Sequence, residues 1–320
     1  MHSYIFIILF LIENVSFSQQ KIKSITLREI CSIGNSDQSL FVQVGDIACD
    51  NKGFIYVTDQ YQYKVKKFDD KGKFISEFGS RGKQRGQFQA GPANIKCITD
   101  TIAVVDLGTS NVLFFAADFN MLSKIDVSFP IADIAFDKGG RLYASMIPFG
   151  DKESVIRLFD RSGNIVSHMP PYKICRDPFL NITMLCVDAN DYLIVGYSYI
   201  NKIIVYTDKH EFLTQFKIKE LPDQSVVNEL NGSKIGSFPE GDVFRDIAAD
   251  KRGYIYVLGG FYSKHPNRDV YVTNYHGDLQ TTFVLPDESG ILYFDTKGFL
   301  YTREQKRTVV KKYAVQYHNF

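Results

Sequence analysis

An all-β chain, folded as a six-bladed β-propeller of four-stranded antiparallel blades and closed by its N-terminal strand, is the architecture this sequence predicts. Three observations carry it. One short motif recurs along the chain, a second hairpin follows nearly every copy, and a strand left over at the front matches one missing at the back.

The motif is clearest at Asp46–Val57, DIACDNKGFIYV: an apolar strand, an Asp, a turn containing Gly, then a second strand rich in aromatic and β-branched residues. It returns as DIAFDKGGRLYA (Asp133–Ala144), MLCVDANDYLIV (Met184–Val195), DIAADKRGYIYV (Asp246–Val257) and ILYFDTKGFLYT (Ile291–Thr302). NIKCITDTIAVV (Asn94–Val105) is a degenerate copy. The second hairpins fall at Lys64–Gly79, Asn111–Ile125, Val155–His168, Lys202–Phe216 and Asp269–Phe283, each turning at Asp, Asn or Gly, residues that suit tight hairpin loops. Two hairpins in series make a four-stranded meander. The last unit runs short, because Thr308–Gln316 supplies a third strand and no fourth follows, while Ile22–Gly34 reads as a strand with no partner ahead of it. Joining the two closes the ring and removes two open sheet edges.

Composition agrees with β structure: 26 Phe and 19 Tyr, without Trp, favour pleated, half-buried surfaces. A net charge of +1 on 320 residues gives no global attraction to nucleic acid or to an anionic membrane. At the front, Tyr4–Ile12 has the length of a signal core rather than of a membrane span, and SFSQ (Ser16–Gln19) offers small residues at alternate positions. Residues 1–18 are therefore expected to be an export signal, with 19–320 forming one propeller domain outside the cytoplasm; an uncleaved anchor is the alternative, since no Lys or Arg precedes the apolar run. Cys31, Cys49, Cys97, Cys175 and Cys186 are odd in number and irregularly spaced, so they read as small buried hydrophobes rather than a disulfide framework or a metal clamp.

The stretch FGSRGKQRGQFQAGPANI (Phe78–Ile95), with spaced glycines followed by Gly, Phe and Pro, resembles the inter-blade loop of the NHL-repeat family. With the repeats, the resemblance to exported bacterial six-bladed members of that family spans residues 22–316. It implies a propeller and no single activity, because such propellers serve as enzymes, ligand binders and interaction platforms alike.

Three groups are candidate sites. Asp46, Asn94, Asp133 and Asp246 share one register at the start of the innermost strands, Met184 and Ile291 taking the other two places, so their oxygens are expected near the channel mouth. There they would hold a divalent cation such as Ca²⁺, or, in the plainer reading, bond nearby backbone N–H groups. Arg81, Lys83 and Arg85 in one loop and Arg303, Lys306 and Arg307 in the neighbouring blade form a basic set suited to an anionic ligand. Tyr197, Tyr199, Phe261 and Tyr262, with His265, sit in equivalent loops of blades 4 and 5 and would make an aromatic platform, or else pack between blades. Long insertions at Met169–Phe179 and Glu220–Gly241 are placed on the same face. The histidines do not cluster as a catalytic zinc site requires, and no nucleophile elbow or helix-borne phosphate loop is present. The sequence thus points to an exported monomeric module that binds a protein, peptide or glycan through its loop face. The alternative is a metal-dependent hydrolase or lyase acting on a small metabolite at the channel mouth.

Overall fold

The computed structural model of this chain describes residues 21–35, 39–148, 154–228, 238–306 and 308–319, so the segment expected as an export signal lies outside the described residues. Six four-stranded antiparallel sheets are present, and in five of them strand order follows chain order. Blade 1 runs through Val44–Cys49, Ile55–Asp59, Lys64–Phe68 and Phe74–Phe78. Blades 2 to 5 begin at the innermost strands Pro92–Ile98, Ile131–Phe136, Thr183–Val187 and Phe244–Ala249. Blade 6 comprises Ser289–Phe294, Phe299–Glu304 and Val310–Asn319, and its outer place is taken by the first strand of the chain, Ile22–Ile33. That strand pairs antiparallel along its whole length, from Ile22 opposite Asn319 to Ile33 opposite Val310. The predicted closure is thus the observed one.

In blades 1, 5 and 6 the Asp of the first-to-second turn is used in one way. Asp50 Oδ1 accepts the N–H groups of Lys52, Gly53 and Phe54, while its other oxygen accepts the Tyr56 hydroxyl at 3.1 Å. Tyr256 and Tyr301 donate likewise to Asp250 and Asp295, each at 3.0 Å. The recurring Asp is therefore an internal turn clamp, with the ring hydroxyl six residues on finding a buried partner. Second strands such as Ile55–Asp59 and Leu193–Tyr197 are buried throughout, whereas the outer strand Phe74–Phe78 alternates with solvent.

Apolar side chains do not form one central core. Among the described residues they form six clusters, one between each pair of adjacent blades. Tyr56 and Val65 pack with Ile95 and Phe115, and Ala103 and Val112 with Ile134 and Leu142. Tyr143 and Ile156 pack with Leu185 and Leu193, and Ile194 and Val205 with Ile247 and Val257. Tyr256 and Val270 meet Leu292, Leu300, Ile22 and Ile25, and Tyr301, Val310 and Ile33 complete the circle against Ile47 and Val57. Every innermost strand contacts its two neighbours, which leaves a channel along their unpaired edges. No helix among the described residues is long and apolar enough to cross a membrane.

Insertions adapt to this frame. The outer strand of blade 3 continues through the Met169–Phe179 insertion as far as Tyr172, and Asn181 then ties the remaining turn by accepting from Ile174 and Cys175 N–H. The described part of Glu220–Gly241 includes a short hairpin, Val227–Asn228 with Phe238–Pro239. It is laced to blade 4 by Ser225 N–H donating to Tyr199 O and Asn201 N–H to Asp223 O.

Candidate functional site: the channel mouth

A cavity of about 440 Å³ occupies the channel, with all six innermost strands contributing to its wall. At such a position each strand exposes backbone N–H groups that no further strand can pair, so side chains must satisfy them. The aspartates do this. Asp46 Oδ1 accepts the Ile47 N–H at 2.8 Å and Oδ2 the Ile95 N–H of blade 2 at 3.0 Å. Asp133 bonds Ile134 and, in blade 4, Leu185, both at 2.8 Å. Asp246 bonds Ile247 at 2.9 Å and Leu292 of blade 6 at 2.7 Å. Three carboxylates, two oxygens each, thereby serve one equivalent N–H in all six blades. This explains why Met184 and Ile291 are tolerated at the same register in blades 4 and 6: the amides that follow them, of Leu185 and Leu292, are capped from the blade before. Asn94, in blade 2, is not a fourth cap; its Nδ2 donates to Asp133 at 3.0 Å.

Lys96 completes the arrangement. Its ammonium lies 2.9 Å from Asp46 Oδ2, with a side chain 25% exposed against 12% for Asp46. Burial alone would lower the Lys96 pKa, but the Asp46 and Asp133 charges outweigh it and hold the group above the ordinary lysine value. Burial pushes Asp133 up to about 6, against the pull of Lys96. Burial likewise pushes Asp246 up to about 7, with the Asp133 and Asp46 charges adding to it. Both folded-state values lie above the unfolded carboxylate range, so their contribution to stability is full below about pH 4 and is lost as pH rises through about 6 and about 7. Accordingly, the stability difference between Asp246→Asn and the parent should move in the variant's favour by a few kcal/mol from pH 5 to pH 8, whatever its offset at low pH, read by urea denaturation at each pH. A difference that stays flat with pH would refute the assignment.

The other sequence candidates separate. Arg303 does not join a surface patch: it is 7% exposed, and its Nη1 donates to Val44 O and Gly45 O across the blade 6–blade 1 junction, at 3.1 and 2.8 Å. Gly290 makes room for it, since a Cβ there would lie 2.0 Å from Arg303 Nη2. Arg307 lies outside the described residues. Arg81, Lys83 and Lys306 are exposed, and Arg85 donates to Met121 O at 2.6 Å. Tyr197 is fully buried between blades 3 and 4 and is no part of a surface platform, because it is the last residue of its strand and points into the core. Tyr199 lines the cavity. Phe261 is 51% exposed and packs edge-on to Tyr262, whose hydroxyl accepts the Val226 N–H at 3.0 Å. His265 Nδ1 sits 2.7 Å from Asp269 Oδ1.

Lys96, Thr183, Asp242 and Arg245 also line the cavity and were not singled out from sequence. Arg245 pairs with Asp242 at 3.1 Å. For Lys96 a signal existed: the aligned strands carry Ala, Cys or Tyr two places after the Asp register, and only NIKC carries a charge. Among the described residues no group of three His, Cys, Asp or Glu side chains is arranged to hold a metal ion. Each of the six oxygens of Asp46, Asp133 and Asp246 accepts one backbone N–H group, which leaves a second lone pair for a further donor, as Asp46 Oδ2 takes both the Ile95 N–H and the Lys96 ammonium.

Six blades closed around a polar, charged cavity define a β-propeller. The chain belongs to the DUF5128 family, described as a 6-bladed beta-propeller, which it matches over residues 19–243. No curated protein matches it. Among solved structures, a DUF4221-family member from Bacteroides vulgatus is similar at 12% identity and TM-score 0.65, covering 94% of this chain and 100% of that one. A candidate exported protein from Bacteroides fragilis follows at 11% identity and TM-score 0.62, with 94% and 98% covered. Virginiamycin B lyase from Staphylococcus aureus is similar at 12% identity and TM-score 0.55, with 91% and 99% covered. At these identities the likeness is one of fold.

Proposed function

We propose that this protein is an exported, NHL-like propeller that binds a peptide, glycan or protein through its loop face, with the channel mouth as the seat of recognition. The observation that carries the reading is the cavity of about 440 Å³. That size suits a small-molecule group or a side chain, and polar and charged side chains are available to orient it. Tyr199 in the wall and Phe261 on the adjoining loop supply aromatic surface, and the blade 4–blade 5 insertion is fixed beside them. Export is supported by the apolar run Tyr4–Ile12 and by a family match that begins at residue 19, just after the expected cleavage point. The test is binding of the mature protein to glycan and peptide arrays. Tyr199→Ala with Phe261→Ala should weaken capture about tenfold or more, with an unchanged melting temperature; capture equal to the parent would remove these residues from the site.

A second reading rests on Asp133 and Asp246, whose carboxyls, held up to about 6 and about 7, suit proton exchange near neutral pH in a hydrolase or lyase. Elemental analysis of protein purified without chelator, beside Asp133→Ala, checks its metal-dependent form. A stoichiometric divalent ion lost in the variant supports it, and metal-free parent protein removes it.

A further inference from the structure

The three aspartates are equivalent in backbone bonding and unequal in everything else. Each takes two backbone N–H groups, and two of them take a side-chain donor as well. For Asp46 the donor is the Lys96 ammonium, and for Asp133 it is the Asn94 amide. Asp246, which lines the same cavity, receives only the Ile247 and Leu292 N–H groups among the described residues. The charges lining the cavity repeat the inequality. Asp46 faces Lys96, Asp242 faces Arg245, and Arg303 donates to backbone carbonyls, so among the described residues neither Asp133 nor Asp246 has a cation in contact. Four carboxylates stand against three basic groups in the wall.

A second, independent feature lies in the same wall. Thr183 is 1% exposed, and its hydroxyl has no hydrogen-bond partner among the described residues, which is costly for a buried polar group unless something else meets it.

We propose that the cavity takes a ligand bearing a protonated amine, which seats against the Asp246 carboxylate as Lys96 seats against Asp46, with Thr183 supplying a further polar contact. This deepens the reading of the mouth as a binding site and rests on it. An ammonium is the chemistry that fits. It offers three donors in a compact head, neutralises the excess carboxylate, and already has one precedent in the same ring. An anionic ligand would face two carboxylates that carry no cation.

The test uses three probes that share one ring: tyramine, N-acetyltyramine and 4-hydroxyphenylacetate, titrated calorimetrically into the mature protein at pH 8. Tyramine is expected to bind at least ~10-fold tighter than the other two, a difference of about 1.4 kcal/mol. Asp246→Asn should abolish the preference, and Thr183→Val, which keeps the shape and removes the hydroxyl, should reduce it. Should Asp246→Asn fail to fold, the Thr183→Val comparison decides alone, and an unchanged preference there overturns the assignment. Equal or better binding of the acetylated or anionic probe, or no binding of any probe at millimolar concentration, also overturns it. If the arrays detect a ligand whose capture needs Tyr199 while tyramine shows no preference, the binding reading stands and the amine falls. A dipeptide with a free N-terminus, compared with its acetylated form, separates a peptide source of the amine from a free small molecule.

Discussion

A chain that begins at Gly34, lacking the strand Ile22–Ile33, is expected to lose its cooperative thermal transition and to aggregate. The deleted strand buries Ile22, Ile25 and Ile33, at 1%, 7% and 1% exposure. Fully burying such a side chain stabilises by ~1.5–3 kcal/mol, so their loss removes roughly 5–9 kcal/mol as an upper estimate. Whole domains hold only about 5–15 kcal/mol. The deletion also exposes the long edge Val310–Asn319, a template for pairing with other chains. The strand contributes on two sides, since Ile22 and Ile25 join the cluster between blades 5 and 6 and Ile33 the cluster between blades 6 and 1. Differential scanning calorimetry of the truncated chain is the check, with a synthetic peptide of residues 21–34 added in trans to restore the transition. A truncated protein that melts within a few degrees of the parent would show that closure contributes little.

Asp46→Ala should be the most damaging single substitution at the mouth. It strips the partner from the Ile47 and Ile95 N–H groups and leaves Lys96 largely buried without its counter-ion. Breaking a buried pair from one side costs about 3–5 kcal/mol, because the remaining charge stays desolvated. A double change, Asp46→Asn with Lys96→Met, removes both charges while Asn keeps an acceptor, and should recover much of the loss. Urea denaturation of the parent and the two variants measures this. A single variant within about 1 kcal/mol of the parent would mean that water replaces the carboxylate.

Much of the fold was legible from sequence because the repeat is carried by local chemistry: the Asp turn clamp, the alternating second hairpin and the unpaired strands at the two ends. The strands predicted from DIACDNKGFIYV form at Val44–Cys49 and Ile55–Asp59. The site was legible only in part. The Asp register could be aligned, but the partners of its oxygens lie tens of residues away in the next blade, as Ile95 does for Asp46, and no local pattern reports that distance. Tyr197 and Arg303 were placed on the surface because their neighbours read as loop. Each lies instead at or near the end of a second strand, in Leu193–Tyr197 and Phe299–Glu304, where a strand longer by a residue or two decides whether a side chain meets solvent or the interior.

The pairwise capping of the channel amides sets a parity rule. With one carboxylate serving its own blade and the next, the natural building block is a doublet of blades, and the ring is three such doublets. Recombined or designed relatives should therefore tolerate gain or loss of blades 1–2, 3–4 or 5–6 as units. A ring with an odd count would strand one edge amide in the channel without an acceptor.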